Sequence, residues 1–206
     1  MLKDTFIELL TSYTDNSDQR NKLWEEVEKS YSNKKRHYHT LQHLENLLVQ
    51  LRDVRNELFD WESTLFTLYY HDIVYNALLS DNEEKSAELA VKRMKQLSVP
   101  GEKIELCKAQ ILATKSHVKS TNSDTNYFTD ADLSVLGQAW EEYQIYCTNV
   151  RKEYSIYPDF VYQPGRKKVL NHFLAMDRIF KTDYFYSKFE EQAKQNIERE
   201  LELLNG

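Results

Sequence analysis

The sequence contains little glycine and little proline. Only 4 glycines and 3 prolines occur among 206 residues, whereas sheet-rich folds need many tight turns in which these residues are favoured. Apolar residues instead recur at helical spacing along nearly the whole chain. The sequence therefore predicts an all-α protein, and its length suits one domain over residues 1–206.

The chain also lacks a basic tract, a long apolar run and paired cysteines. The formal net charge is −6 and both signs are mixed along the chain, so neither duplex nucleic acid nor an anionic membrane is an expected partner. No apolar run could span a bilayer, and the amphipathic first segment is unlike a signal peptide. Cys107 and Cys147 are isolated, which is typical of a reducing compartment. We expect a cytoplasmic protein.

The apolar periodicity gives approximate helix bounds around the polar segments of interest. It predicts a third helix from near Thr40 and a fourth from about Trp61 to Tyr75. A polar loop at 120–124 is followed by a long predicted helix from about Ala131 to Tyr154. Two further helices are expected over 167–180 and 184–204. The exposed faces of the first and last helices are compatible with a homodimer.

The dipeptide His71-Asp72 lies in the predicted fourth helix. Leu65 and Leu68 share the side of the helix on which Asp72 lies, so we expect Asp72 to face inward. A buried carboxylate is costly unless it is paired or bound to a cation. Because adjacent helical residues diverge by about 100°, both could bind one metal only over the groove between them.

Two other segments place histidines and aspartates on inward faces. RHYHTLQHLENLL spaces His39 and His43 four residues apart, on one face if the helix begins at or before His39. FTDADLSVLG supplies Asp130 and Asp132 at the start of a predicted helix, with Asp132 inward. Singly, such residues are more often a core histidine, an N-cap or an ion pair. Together they predict a metal site.

The expected metal follows from the donor set. Mixed nitrogen and oxygen ligands suit a divalent transition metal such as Mn, Fe, Co, Ni or Zn, while Mg prefers oxygen ligands but stays an alternative.

These segments, in this order, resemble the HD superfamily of metal-dependent phosphohydrolases, and in particular the subgroup described as predicted metal-dependent HD superfamily phosphohydrolases. The resemblance is carried by RHYHTLQHLENLL, YYHDIVYNALLSDNEEKSAELA, ILATKSH and FTDADLSVLG, and it continues through VRKEY and RKKVLNHFL. It implies an HD-type helical bundle with its motif-bearing core at about 36–154 and the N- and C-terminal helices packed on it.

The resemblance implies a ligand set and a reaction. The ligands would be His43, His71, Asp72 and one aspartate of the Asp-Ala-Asp, with Asp132 favoured over Asp130. A small phosphate ester, for example a nucleotide, would be hydrolysed by a metal-activated water. Asp72 would accept the proton of the water, and His117 or His39 would protonate the leaving oxygen. Glu83 would orient a ligand from behind.

One position departs from the family pattern. Related HD phosphatases often continue the last motif with an arginine, but here Leu133 follows Asp132. Contacts to the phosphate or nearby would then come from Lys115, Arg151 or Arg166, each of which is more often an ordinary ion pair. Two alternatives therefore stay open: a non-catalytic HD fold that binds a nucleotide or metal for regulation, and a helical interaction protein without a metal.

Overall fold

The computed structural model describes residues 1–205, and all regular structure within them is helical. This confirms the all-α prediction. Short 3₁₀ turns occur at Arg55–Glu57 and Ser134–Gly137. The α-helices are α1 Leu2–Thr11, α2 Ser17–Tyr31, α3 Leu41–Asp53, α4 Trp61–Tyr70, α5 Asn82–Gln96, α6 Gly101–Ala113, α7 Ser123–Leu133, α8 Trp140–Glu153, α9 Asp159–Leu174 and α10 Asp183–Asn205.

The chain divides into two compact units, Met1–Thr129 and Asp130–Gly206. The expectation of a single domain stays a prediction. Among the helices of residues 1–205, none combines the length and apolar character needed to cross a membrane.

Helix α4 is the central helix of the first unit. Every residue from Ser63 to Tyr70 is buried, as expected for a helix that is packed on all sides. It contacts α1, α3, α5 and α6. The ring of Phe6 meets the ring of Tyr69 edge-on at 4.6 Å. Because α4 is enclosed in this way, the residues that follow Tyr70 start from a rigid position.

Helix α10 is the central helix of the second unit. It packs on the 3₁₀ turn Ser134–Gly137 and on α9. A side chain at Gly137 would place a Cβ atom 2.5 Å from the Cβ of Phe189, so only glycine permits this approach. The amide of Asn196 donates to the carbonyls of Leu136 and Gln138, both at 2.8 Å. Helix α10 is therefore held on this turn by close packing at Gly137 and by the two hydrogen bonds of Asn196.

Several predicted helix bounds are wrong. Helix α4 ends at Tyr70 instead of continuing to Tyr75, and the long helix predicted over 131–154 is split into α7, the 3₁₀ turn and α8. The predicted loop at 120–124 overlaps the start of α7, and α9 begins at Asp159, not at 167. The first two errors share a cause, since buried loop residues and buried helix residues give the same apolar signal. The late start predicted for α9 has another cause, because this helix contains Pro164, which the prediction treated as part of a connection.

Candidate metal centre

His71 and Asp72 lie immediately after α4, where the chain leaves the helix. His71 is the C-cap residue of α4 and Asp72 belongs to the following turn. His71 still has helical backbone angles, with φ of −59° and ψ of −39°. Asp72 Oδ2 nevertheless comes within 3.1 Å of His71 Nε2. One ion could therefore reach both side chains, as required for a shared site over the groove between adjacent residues.

His43 brings a second imidazole to the same place from the first turn of α3. Its Nε2 is 3.1 Å from His71 Nε2 and 3.8 Å from Asp72 Oδ2. His43 and His71 are buried, and the side chain of Asp72 is 17% exposed. Two ring nitrogens and one carboxylate oxygen thus converge at a site that retains limited access to solvent.

The separations among these three atoms fit ligands of a common transition metal. Two nitrogens at about 2.1 Å from one ion are about 3.0 Å apart at a right angle and about 3.4 Å apart at the tetrahedral angle. The observed 3.1 Å between His43 and His71 lies between these values. The 3.8 Å between His43 and Asp72 fits a wider angle at the same ion. A hydrogen bond between the two rings would also fit 3.1 Å.

The hydrogen bonding of His71 favours a metal-binding tautomer. Its Nδ1 lies 3.0 Å from the carbonyl oxygen of Leu68, one turn earlier in α4. A carbonyl can only accept, so Nδ1 carries the proton in this contact. The lone pair of the neutral ring is then on Nε2, the atom that faces His43 and Asp72.

His39 lies at the edge of this cluster. Its Nε2 is 3.9 Å from Asp72 Oδ2, its side chain is 20% exposed, and its ring stacks on Tyr75 at 4.2 Å. Because α3 begins at Leu41, the expectation that His39 and His43 share a helical face is wrong. His39 reaches the cluster from the loop before α3 instead.

Three side chains that hold the turn were missed by the sequence reasoning. Arg36 donates to the carbonyl of Asp72 at 2.7 Å, and the hydroxyl of Tyr31 accepts from the amide of Asp72 at 3.2 Å. The hydroxyl of Ser86 accepts from the amide of Val74 at 3.1 Å. These partners are backbone groups, so no pattern of side-chain types indicates them. Ser86 lies in the NEEKSA segment, where Glu83 was the expected contributor.

Asp130 accepts hydrogen bonds from the chain segment that precedes α10. It lies near the end of α7, not at a helix start, and it is fully buried. Its carboxylate accepts from the amides of Lys181 and Thr182 at 2.9 and 2.7 Å and from the Thr182 hydroxyl at 2.8 Å. The ammonium of Lys181 is 3.2 Å away. Asp130 therefore anchors the segment that leads into α10.

The same contact affects Lys181. Burial lowers the pKa of its ammonium, and the nearby carboxylates of Asp130, Asp132 and Glu190 oppose this shift without cancelling it. Lys181 is thus a buried cation whose compensation depends on Asp130.

Asp132 lies four residues beyond Phe128 in α7, on the same helical face. The ring of Phe128 meets the ring of His71 edge-on at 5.6 Å. The choice of Asp132 over Asp130 as a ligand stays a prediction.

Comparison with known proteins adds no neighbour. No family model, curated protein or solved structure matches the chain. The resemblance to HD phosphohydrolases therefore stays a prediction that depends on the motifs.

Lys115 and His117 are two further residues that the sequence predicts at the site. Lys115 pairs with Glu84, donates to the carbonyl of Ser80 at 2.8 Å and lies 3.9 Å from Glu83. His117 follows α6 with a left-handed φ of 53°, which is uncommon for a residue with a side chain and is often found at functional sites.

Two predicted arginines are held within the second unit. Arg151 donates to Asp159 at 2.8 Å and to the carbonyl of Tyr157 at 3.0 Å. Arg166 is buried and donates to both carboxylate oxygens of Glu200 at 2.8 Å. These guanidinium groups already have their charge and donors matched by protein groups.

Proposed function

We propose that this protein binds a divalent transition metal through His43, His71 and Asp72 and uses it to hydrolyse a small phosphate ester, for example a nucleotide. The observation that supports this most is the convergence of His43 Nε2, His71 Nε2 and Asp72 Oδ2 within 3.1 to 3.8 Å. Imidazole nitrogen with carboxylate oxygen is a donor set for Mn, Fe, Co, Ni or Zn. Asp132, carried over from the family pattern, completes the proposed ligand set.

The second support is the orientation of the His71 ring. Its Nδ1 lies 3.0 Å from the carbonyl oxygen of Leu68, so Nε2 is the ring atom that faces His43 and Asp72. A bound cation would be held by this nitrogen.

The chemistry follows from this arrangement. A divalent metal held by His43, His71 and Asp72 would supply Lewis-acid chemistry, which lowers the pKa of a bound water and polarises a phosphoryl oxygen. Asp72, itself one of the proposed ligands, would lie beside that water and accept its proton. His39 is the most exposed of the three imidazoles near Asp72, so it is our candidate for protonating the leaving oxygen, with His117 as the alternative.

The phosphate contacts proposed for Lys115, Arg151 and Arg166 are not part of this function. Each cation has protein partners of its own. We therefore expect the ion, and not these side chains, to offset most of the charge on the phosphoryl group.

The test is the metal content of the purified protein, measured by mass spectrometry beside Asp72→Ala. We expect near-stoichiometric transition metal in the parent and its loss in the variant. Asp81→Ala is the control, since Asp81 is half exposed and pairs with Lys85 at 2.9 Å; it should retain the metal. Absence of metal from the parent, even after addition of Mn²⁺ or Ni²⁺, would overturn the proposal and favour the interaction protein.

A phosphate-ester screen then separates catalysis from regulation. We expect turnover that stops in excess chelator and returns on adding metal. Metal binding without turnover on any ester would favour the non-catalytic regulatory alternative. Full activity in chelator would exclude a metal-dependent mechanism.

A further inference from the structure

We propose that Arg36 is a positioning residue for the metal centre: it fixes Asp72 and His39 relative to each other through their backbone carbonyls without binding the metal itself. This inference rests on the proposed metal site. It assigns to a residue outside the ligand set a large share of the metal affinity.

The guanidinium of Arg36 donates to three backbone carbonyls. One terminal nitrogen donates to the carbonyl of Asp72 at 2.7 Å and to that of His39 at 3.3 Å, and the other donates to the carbonyl of Ile73 at 2.9 Å. Arg36 is buried. A single planar group thus connects the turn after α4 with the loop before α3, and each of these segments carries a side chain of the cluster.

Neither of the two segments that Arg36 connects lies within a helix. Asp72 follows the end of α4, and His39 precedes the start of α3 at Leu41. The last carbonyls of a helix lack partners within the helix. Arg36 supplies donors just beyond that end, where a cation is also favoured by the helix dipole.

Two tyrosine rings flank the guanidinium of Arg36. Its central carbon lies 4.8 Å from the ring centre of Tyr31 and 5.5 Å from that of Tyr75. The hydroxyl of Tyr31 accepts from the amide of Asp72, and the ring of Tyr75 stacks on His39. Both rings that flank Arg36 therefore also contact the two residues that it connects.

The planar fork is the feature that lysine cannot replace. An ammonium group is a single donor centre, whereas a guanidinium reaches the carbonyls of Asp72 and Ile73 with separate nitrogens in fixed geometry. A lysine at position 36 would keep the charge and lose the simultaneous contacts. Charge and geometry can therefore be tested separately.

The experiment is titration of the metal-free protein with Co²⁺, which reports affinity and, through its visible absorption, the coordination geometry. The variants are Arg36→Met and Arg36→Lys. Arg93→Met is the matched control in the same unit, because Arg93 donates to Glu26 at 2.8 and 2.6 Å. Thermal unfolding of each metal-free protein reports the purely structural effect.

We expect both Arg36 variants to weaken Co²⁺ binding about 10- to 100-fold and to change the visible spectrum, while Arg93→Met lowers only the unfolding temperature. If the parent binds Co²⁺ and both Arg36 variants bind it equally well with an unchanged spectrum, this inference is overturned and the proposed function stands. An equal loss of affinity in Arg93→Met would reduce Arg36 to general stability and overturn the inference. A parent that binds no Co²⁺ would remove both.

Discussion

Asp130 and Asp72 are both inward-facing carboxylates, but the groups around them differ in chemistry. Asp130 is fully buried, accepts from two backbone amides and a hydroxyl, and lies 3.2 Å from the ammonium of Lys181. Asp72 Oδ2 instead faces three imidazole nitrogens at distances between 3.1 and 3.9 Å. Amides and an ammonium are structural partners of a carboxylate, whereas imidazole nitrogens beside a carboxylate oxygen form a donor set for a transition metal. The first carboxylate completes the fold, and the second is suited to a cation.

The buried arginines show a related contrast. Arg166 donates to both carboxylate oxygens of Glu200, so two opposite charges are joined in the second unit. Arg36 donates to backbone carbonyls, and its hydrogen bonds fix the course of the chain beside the cluster. A buried cation can thus stabilise a unit or shape a site, and its partners tell which.

From the difference between Asp130 and Asp72, we expect Asp130→Ala to lose more stability than any other variant proposed below. The change leaves the ammonium of Lys181 and the amides of Lys181 and Thr182 without their acceptor in a buried place. Breaking one side of such a pair costs about 3–5 kcal/mol. Urea unfolding followed by circular dichroism measures it. A loss below about 1 kcal/mol would mean that Asp130 is no more structural than a surface carboxylate.

The converse prediction concerns Asp72→Asn. Metal affinity should fall by about 100-fold, because structural sites with four ligands bind with about 10–16 kcal/mol and one ligand accounts for about 3 kcal/mol of that. The unfolding free energy of the metal-free protein should change by less than about 1 kcal/mol. Calorimetric titration with Zn²⁺ and urea unfolding measure the two quantities.

Asp60→Asn is the matched control for that prediction. The side chain of Asp60 is 21% exposed, close to the 17% of Asp72, and it accepts from Ser63 and Lys103 in the same unit. It should lose stability and keep its metal affinity. If Asp60→Asn instead lost metal affinity and Asp72→Asn lost stability, Asp60 would be the metal-binding carboxylate and Asp72 the structural one.

The sequence predicted the helices well and some of their ends poorly. Ile73 is as buried as a core helical residue, although it lies in the turn after α4. The apolar period therefore ran on to Tyr75. Likewise, Asp130 in FTDAD looked like a residue at a helix start, while its capping partners are the amides of Lys181 and Thr182, about 50 residues later in the chain.

The candidate site was predictable as far as side-chain chemistry carries it. His43, His71 and Asp72 stand out as residue types that are costly to bury, and the structure brings them together. The contribution of Arg36 was not predictable, because its partners are carbonyls of residues 36 and 37 positions away. Every residue has a carbonyl, so the sequence gives no indication of which one is used.

A smaller effect, which depends on pH, is expected from Glu200. Burial raises the pKa of its carboxyl, but the hydrogen bonds and charge of Arg166 outweigh burial and hold it below the usual 4.5. A carboxyl with a lowered folded-state pKa stabilises the protein above its unfolded pKa, and this contribution is lost as pH falls through the folded pKa.

Thermal unfolding of the parent and Glu200→Gln from pH 7 to acid pH tests this. The unfolding temperature of the parent should fall more steeply below about pH 4.5, so the two curves approach each other. Glu198→Gln, an exposed position on the same helix, should follow the parent. Parallel curves for the parent and Glu200→Gln would show that the Arg166 pair adds nothing specific to the acid response.

The smallest effect is expected for Lys115→Ala, which tests whether a cation with its own partners can also serve the substrate. The ammonium pairs with Glu84 and donates to the carbonyl of Ser80, and the side chain is 43% exposed. Exposed pairs of this kind contribute little, so metal affinity and unfolding temperature should match the parent.

In a phosphate-ester assay KM should stay within about threefold, since a charge-assisted contact to phosphate would change it by about tenfold or more. Lys95→Ala, at an exposed position of α5, gives the background. A tenfold rise in KM for Lys115→Ala alone would assign this lysine to substrate binding. Charged side chains of this protein would then serve three purposes: stabilising the fold, binding the metal and binding the substrate.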